Sequence, residues 1–243
     1  MKKSLLVLAV LSAFAPVLAQ AEAGDIVVRL RATNVNPNTS SKLGETTDAT
    51  YGATSSLDAA ALYGSSTADL QVKSNTIPEI DFTYYITKNI AAELILAVGT
   101  RHSVNVSSAG AVAANLGSVN LLPPTLTAQW HFMPDTMIDP YVGAGGAFVL
   151  GMDRTLTANV SSGAALLPIH IDRSAFGAVL QAGFDVNLQD KWLINFDAKK
   201  IWVNTTVKLD GTAVGALGLA GFQKIDKLDL NPLVLSIGIG KKF

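Results

Sequence analysis

An all-β fold, an eight-stranded antiparallel transmembrane up-and-down β-barrel with long external loops, is what this sequence predicts, on three observations. The stretch from Lys227 to Phe243 alternates apolar with small or polar residues and ends on an aromatic. Leu233, Leu235, Ile237 and Ile239 share one face, and Ser236, Gly238 and Gly240 share the other, with only Val234 breaking the pattern. Side chains of a strand alternate faces with period two, so the segment has an oily side and a small, polar side. The second observation is composition: the chain is 49% hydrophobic and only 15% charged. Yet beyond the N-terminus no apolar run is long enough for a membrane helix; the best, Ile90 to Gly99, holds Glu93. High hydrophobicity without long runs is what strands give when every second residue meets lipid. Finally, long polar connections alternate with short turns, as in a barrel with loops outside and turns in the periplasm.

The N-terminus reads as a secretory signal over residues 1–21. Lys2 and Lys3 supply the positive region, Leu5 to Ala15 the apolar one, and Ala19-Gln20-Ala21 a small-x-small cleavage site. A membrane anchor would need roughly 18 apolar residues, and Pro16 and Gln20 interrupt the run before that. Residues 22–243 then form one domain, the barrel. Removing the two lysines takes the formal charge from −1 to −3, which excludes a basic nucleic-acid footprint. The absence of cysteine excludes a disulfide scaffold and any Cys-ligated metal.

The strands follow in order. Asp25 to Val35 sets Ile26, Val28, Leu30 and Ala32 against Arg29, Arg31 and Thr33. Asn36 to about Ser74 is small-sided and polar, and reads as an external loop with a helical turn over Ser56 to Tyr63. Thr76 to Ile86 points Ile80, Phe82 and Tyr84 outward and Glu79, Asp81 and Thr83 inward, and Thr87-Lys88-Asn89 turns into a third strand, Ile90 to about Arg101. A second long loop, His102 to Ser118, precedes the fourth strand, about Val119 to Phe132, with Leu126, Ala128 and Trp130 opposed to Thr125, Thr127 and Gln129. Pro140 to Leu150 is the fifth strand, Gly151 to Asp172 the third loop, and Arg173 to Leu188 the sixth strand. Lys191 to about Val203 is the seventh, Asn204 to Asp226 the fourth loop, and Lys227 to Phe243 closes the wall.

Aromatics gather where strands meet short turns: Tyr84, Trp130, Phe132, Tyr141, Phe184, Trp192 and Phe243. Such rings suit the headgroup layer. The inward set of Arg29, Arg31, Glu79, Asp81, Glu93, Gln181, Asp185, Asn195, Asp197 and Lys199 crowds a lumen that side chains can fill, so it is expected to pair into a plug. His102, His131 and His170 are scattered, Gly143-Ala144-Gly145-Gly146 lacks a βαβ setting, and no nucleophile–base arrangement stands out. Neither an enzyme nor a cofactor is expected.

Leu122-Pro123-Pro124-Thr125-Leu126-Thr127-Ala128-Gln129-Trp130-His131-Phe132, followed by Pro140-Tyr141-Val142-Gly143-Ala144-Gly145, resembles the signature of the OmpW outer-membrane family. Glu22-Ala23-Gly24-Asp25, Phe82-Thr83-Tyr84 and Leu228-Asp229-Leu230-Asn231-Pro232 add to the resemblance. It implies a bacterial outer-membrane barrel with a narrow hydrophobic channel, taking up small hydrophobic solutes that leave sideways through the wall. Where the family often carries Thr-Pro-Phe late in its third strand, this chain has Gly99-Thr100.

Proline has no N–H for the ladder, so Pro123 and Pro124 mark either the start of a strand or a break in the wall. The apolar residues Leu121, Leu122, Leu166, Leu167 and Ile169 stand in otherwise polar external segments and, with Leu126, are candidates for the solute path. Packing of the loops on themselves is the other reading of them. Expected partners are outer-membrane lipid, the hydrophobic solute, and the barrel-assembly machinery, met by the closing strand that ends in Phe243. A second function reading keeps the barrel as a structural or surface-interaction scaffold, adhesin- or receptor-like. An enclosed apolar pocket reaching Pro123 and Leu126 favours transport, and a lumen filled by charge pairs alone favours the scaffold.

Overall fold

The computed structural model describes residues 21–52, 58–97, 100–108, 111–153, 155–159, 166–210 and 221–243. The expected signal lies outside them except for Ala21, as do Gly99 and residues 164 and 165 of the third loop. From β1 (Ile26–Asn36) the chain passes into an excursion of α1 (Leu43–Tyr51), α2 (Ala59–Tyr63) and the short β2 (Asp69–Val72), then returns along β3 (Asn75–Tyr85). A tight turn leads into β4 (Ile90–Ala97), a hairpin of β5 (Thr100–Ser108) and β6 (Ala111–Leu122), and β7 (Thr125–His131). β8 (Ile138–Asp153) continues into β9 (Thr155–Asn159) and β10 (Leu166–Ile171), and β11 (Ser174–Asn187) comes back. After a single 3₁₀ turn at Gln189–Lys191, β12 (Trp192–Trp202) runs into β13 (Asn204–Asp210) and β14 (Phe222–Asp229), and β15 (Leu233–Lys242) completes the path.

Eight of these strands close on themselves in the order β1, β3, β4, β7, β8, β11, β12, β15, all neighbours antiparallel. The seam joins β1 to β15 from Val27↔Lys242 to Asn36↔Leu233. Alternation drives the closure. Leu30, Leu126, Leu180, Leu235 and Ile237 point outward with half or more of their surface exposed, while Arg29, Asp81, Glu93 and Asn195 point inward and are wholly buried. A closed ladder leaves no unpaired edge for lipid to meet, which is why this architecture can stand in a bilayer.

The four long connections differ from the loops expected of them. α1, α2, β2, β5 and β6, together with a four-stranded sheet of β14, β13, β10 and β9, share a buried core that includes Leu43, Leu70, Val106, Leu156, Leu209 and Ile225. The segments are polar on average yet alternate, as Val104 and Val106 do, and alternation rather than mean polarity decides strand formation. Two of the expected strands also divide. The single fourth strand is two, β6 and β7, parted at Pro123-Pro124; Lys227 to Asp229 belongs to β14 in the external sheet; and Asn231 (φ 34°) and Pro232 turn the chain into β15. Tyr141 is 2% exposed and faces the lumen, not the headgroup layer. A side chain at Gly183 would meet its ring, with a Cβ 2.5 Å from the hydroxyl, so the glycine gives the ring its space.

Candidate functional site

The lumen is layered. Near the short turns His131 Nδ1 lies 2.7 Å from Asp139 Oδ2, and its ring stands 4.9 Å from that of Tyr85 and 5.0 Å from that of Tyr141. Next comes an ionic layer built on the two arginines of β1. Arg29 Nη1 donates to Asp81 Oδ1 at 3.0 Å and to Thr83 Oγ1 at 2.6 Å, and its Nη2 donates to Asp185 Oδ2 at 2.6 Å. Arg31 Nη2 bonds Glu93 and lies 2.6 Å from Asp81 Oδ2. Gln181 Nε2 donates to Glu93 Oε2 (2.7 Å) and Asp197 Oδ2 (2.6 Å), and the Tyr141 hydroxyl donates to Asp197 at 2.8 Å. Asn195 holds Asp185, and Lys199 holds Asp197.

Thr127 of β7 donates from Oγ1 to Gln181 Oε1 at 2.9 Å, so seven wall strands give side chains to this layer, and the eighth gives space. A Cβ on Gly238 would lie 2.7 Å from Arg31 Cγ, and one on Gly240 would lie 2.7 Å from Arg29 Cγ. The small face of β15 thus exists to admit the arginines of its neighbour. The lumen at this level is filled by paired charges, as the sequence predicts, and a filled eight-stranded barrel is a plug rather than a pore.

Above the plug the lumen turns apolar. A cavity of about 80 Å³ is walled by Ile77, Ile95, Leu121, Pro123, Ile201 and Val234, with Glu79 and Lys199 at its floor. His102, 4% exposed, also lines it; its Nδ1 donates to the Lys73 carbonyl at 3.0 Å, leaving Nε2 as an acceptor. Outside the wall at the same height is a groove of about 610 Å³ lined by Leu94, Pro124, Leu126, Phe148 and Phe176. Thr125 lines both, so one strand thickness separates cavity from groove. The β4–β7 ladder stops here, at Ile95↔Thr125, while Pro124 still accepts from Phe148 N on β8 (2.9 Å). A larger groove of about 820 Å³ crosses β7, β8, β11 and β12 on the lipid face, paved by Ala128, Ala144, Ala182 and Ala198.

The residues proposed from sequence for the solute path therefore separate. Leu121 and Pro123 line the cavity, and Pro124 and Leu126 line the outer groove. Leu122 is half-buried opposite Leu150 of β8. Ile169 is fully buried in the core of the external head, and Leu166 and Leu167 lie in the same strand, opposite Asn159 and Ala158. Sequence reasoning missed Ile77, Ile95, Ile201 and Val234. Each keeps the inward phase of the charged residues two or more places along its strand, and Val234 is the residue that broke the last strand's pattern. Extending that phase outward would have found the apolar chamber. Among the described residues no group of three or more His, Asp or Glu side chains is placed to hold a metal.

The family model described as the OmpW family matches residues 22–243. The chain is 38% identical over 186 residues to the outer-membrane protein y4mB of Sinorhizobium fredii, covering 76% of this chain and 74% of that one. It is 34% identical to Outer membrane protein W of Salmonella typhimurium, over 71% of this chain and 75% of the relative. Among solved structures, the outer membrane protein OprG from Pseudomonas aeruginosa superposes with a TM-score of 0.70 at 24% identity, covering 92% of this chain and 98% of that one.

Proposed function

This chain belongs to the OmpW family of bacterial outer-membrane barrels, and from that premise we propose that it is a passive conduit for small hydrophobic molecules, released sideways through its wall. The observation that carries the reading is the apolar cavity standing on a sealed ionic layer. A solute entering from the loop end meets apolar walls that favour it by about 25 cal/mol for each Å² of apolar surface removed from water. Straight descent would put it among buried, mutually paired charges. The side is the cheaper way out. Beyond Ile95↔Thr125 no ladder bond has to break between β4 and the Pro123-Pro124 step, since neither proline has an N–H to give. The far side of that step is a lipid-facing apolar groove.

On this reading the partners are outer-membrane lipid and the solute, with the barrel-assembly machinery meeting the β15 strand and Phe243 during insertion. The wall needs no cofactor and does no chemistry. The test is entry of a poorly water-soluble hydrocarbon into cells with and without the protein, with a small hydrophilic sugar as control. Hydrocarbon entry is expected to rise several-fold with sugar entry unchanged, and to fall back when Pro123 and Pro124 are both replaced by alanine in a protein that still folds. The external head, with a hydrophobic core of its own, supports a second reading as an interaction surface. Equal hydrocarbon entry with and without the protein would favour it.

A further inference from the structure

We propose that the larger groove on the lipid face seats one phosphorylated glycolipid of the outer leaflet, with an acyl chain along the groove and the headgroup at its upper end. The proposal stands apart from the conduit reading: it concerns what the wall holds, not what crosses it.

The ladder registers give the groove its direction. Lys200 of β12 faces Leu180, Leu180 faces Ala144, and Ala144 faces Ala128. The row beneath runs from Ala198 through Ala182, Val142 and Trp130 to Ile90. Residues of both rows line the groove. Lys200 lies just short of the outer end of β12 at Trp202, whereas Ile90 opens β4 at a short turn. The groove therefore slants from the outer rim down to the inner aromatic belt. Four strand spacings of about 4.8 Å give the lower row a length of about 19 Å, enough for a fatty acyl chain. Phe184 and Phe196, both outward and stacked at 4.9 Å, bank it from below.

The upper end is polar, and on one side of the barrel only. Along β1 the outward positions pass from Leu30 and Ala32 to Asn34 and Asn36, both exposed. Thr76 is the matching outward residue of β3, and Asn34 Nδ2 donates to its Oγ1 at 3.0 Å. On β8, by contrast, the outward face stays apolar through Phe148 and Leu150 to Met152. Lys200 completes the polar patch. Its Nζ donates to the Asn231 carbonyl, which uses one of its three N–H groups and none of its charge. Among the described residues no carboxylate pairs with it. An ammonium left without an anion at the edge of hydrocarbon is costly, and a phosphate answers it with charge-assisted hydrogen bonds. The patch is also wide. Lys200 faces Leu233 and Leu233 faces Asn36, a span of two strand spacings or about 10 Å. The phosphate of a glycerophospholipid meets one end of that span. A phosphorylated disaccharide meets both, with phosphate on the lysine and sugar hydroxyls on the asparagines.

The experiment is native mass spectrometry of the folded, full-length mature protein released from detergent micelles, with one lipid added at a time. The probes are lipid A carrying both phosphates, the same acylated disaccharide stripped of both, and phosphatidylglycerol. The bisphosphorylated glycolipid is expected to be retained, one per protein, at a several-fold lower concentration than either of the others. Lys200→Gln is expected to bring it level with the stripped form, and Ala182→Phe, which fills the floor of the groove, to weaken both. The comparison among lipids needs no variant, so it decides the matter even where Ala182→Phe does not fold. Phosphatidylglycerol retained as well as the bisphosphorylated glycolipid would overturn the glycolipid as occupant and put an ordinary phospholipid in its place. Equal retention of the stripped form, or no effect of Lys200→Gln, would overturn the headgroup seat. Unchanged retention by a folded Ala182→Phe would overturn the groove as the chain's place. Absence of retention with every probe would overturn the site itself, while the conduit is judged separately by hydrocarbon entry into cells.

Discussion

Arg31 reaches four carboxylates, those of Glu79, Asp81, Glu93 and Asp197, from a position with no exposed side-chain surface. Removing one partner of a buried ionic group strands the other charges, whereas the pair as a whole is worth little against an apolar substitute. Arg31→Met is therefore expected to cost about 3–5 kcal/mol in urea unfolding from lipid. Lys208→Ala, which breaks a pair with Asp172 that is partly exposed on both sides, is expected to cost less than about 1 kcal/mol. In the external head, burial pushes the Tyr63 hydroxyl up to about 12. A group whose folded pKa is raised contributes stability that is whole below its unfolded value of about 10 and lost as pH climbs through the folded one. Amide exchange in α1 and α2 is thus expected to accelerate between about pH 10 and 12, and Tyr63→Phe to remove that step. The lumenal charges were legible in the sequence because each sits in phase with its strand. Tyr141 was not, because an aromatic near a short turn reads as girdle until Gly183, opposite it, is seen to vacate the space its ring fills.

Among elements, β15 shows how much a strand can do with small side chains. A Cβ on Gly238 would lie 2.3 Å from the Leu30 carbonyl oxygen, a backbone atom that cannot step aside. Gly238→Val is expected to abolish the folded species that resists unfolding in detergent, read as loss of the fast-migrating unheated band in electrophoresis. The wall strands were legible to within a few residues because one of their faces is uniformly oily. The head strands were not, for a physical reason: β5, β6, β13 and β14 bury their apolar residues against each other rather than lipid, so Ser, Thr, Asn and Asp fill their remaining positions and imitate a loop. The same cause divided the proposed solute path. Ile169 and Pro123 both stood out as apolar in a polar setting, but Ile169 serves the core of the head and Pro123 the chamber.

Taken whole, the molecule is a wall with a plug near one end and a cored head at the other, and the chamber lies between them. Since seven strands contribute side chains to the plug, no single hinge opens it. Planar-bilayer recordings in salt are expected to show no unitary conductance from the folded protein, and Arg31→Met to introduce leak if it inserts at all. Steady conductance from the native protein would mean that water threads the ionic layer.

The arginines also impose an order in time. They sit on β1, the first wall strand, but part of their enclosure is the small-residue face of β15, the last, some two hundred residues later in the chain. Joining segments so far apart is slow, because the intervening chain must first surrender its freedom. Until β15 arrives, two guanidinium groups lie along an open edge, which hydrocarbon will not accept. Sealing the wall and hiding the charge are therefore one event, completed only when the last strand pairs with the first.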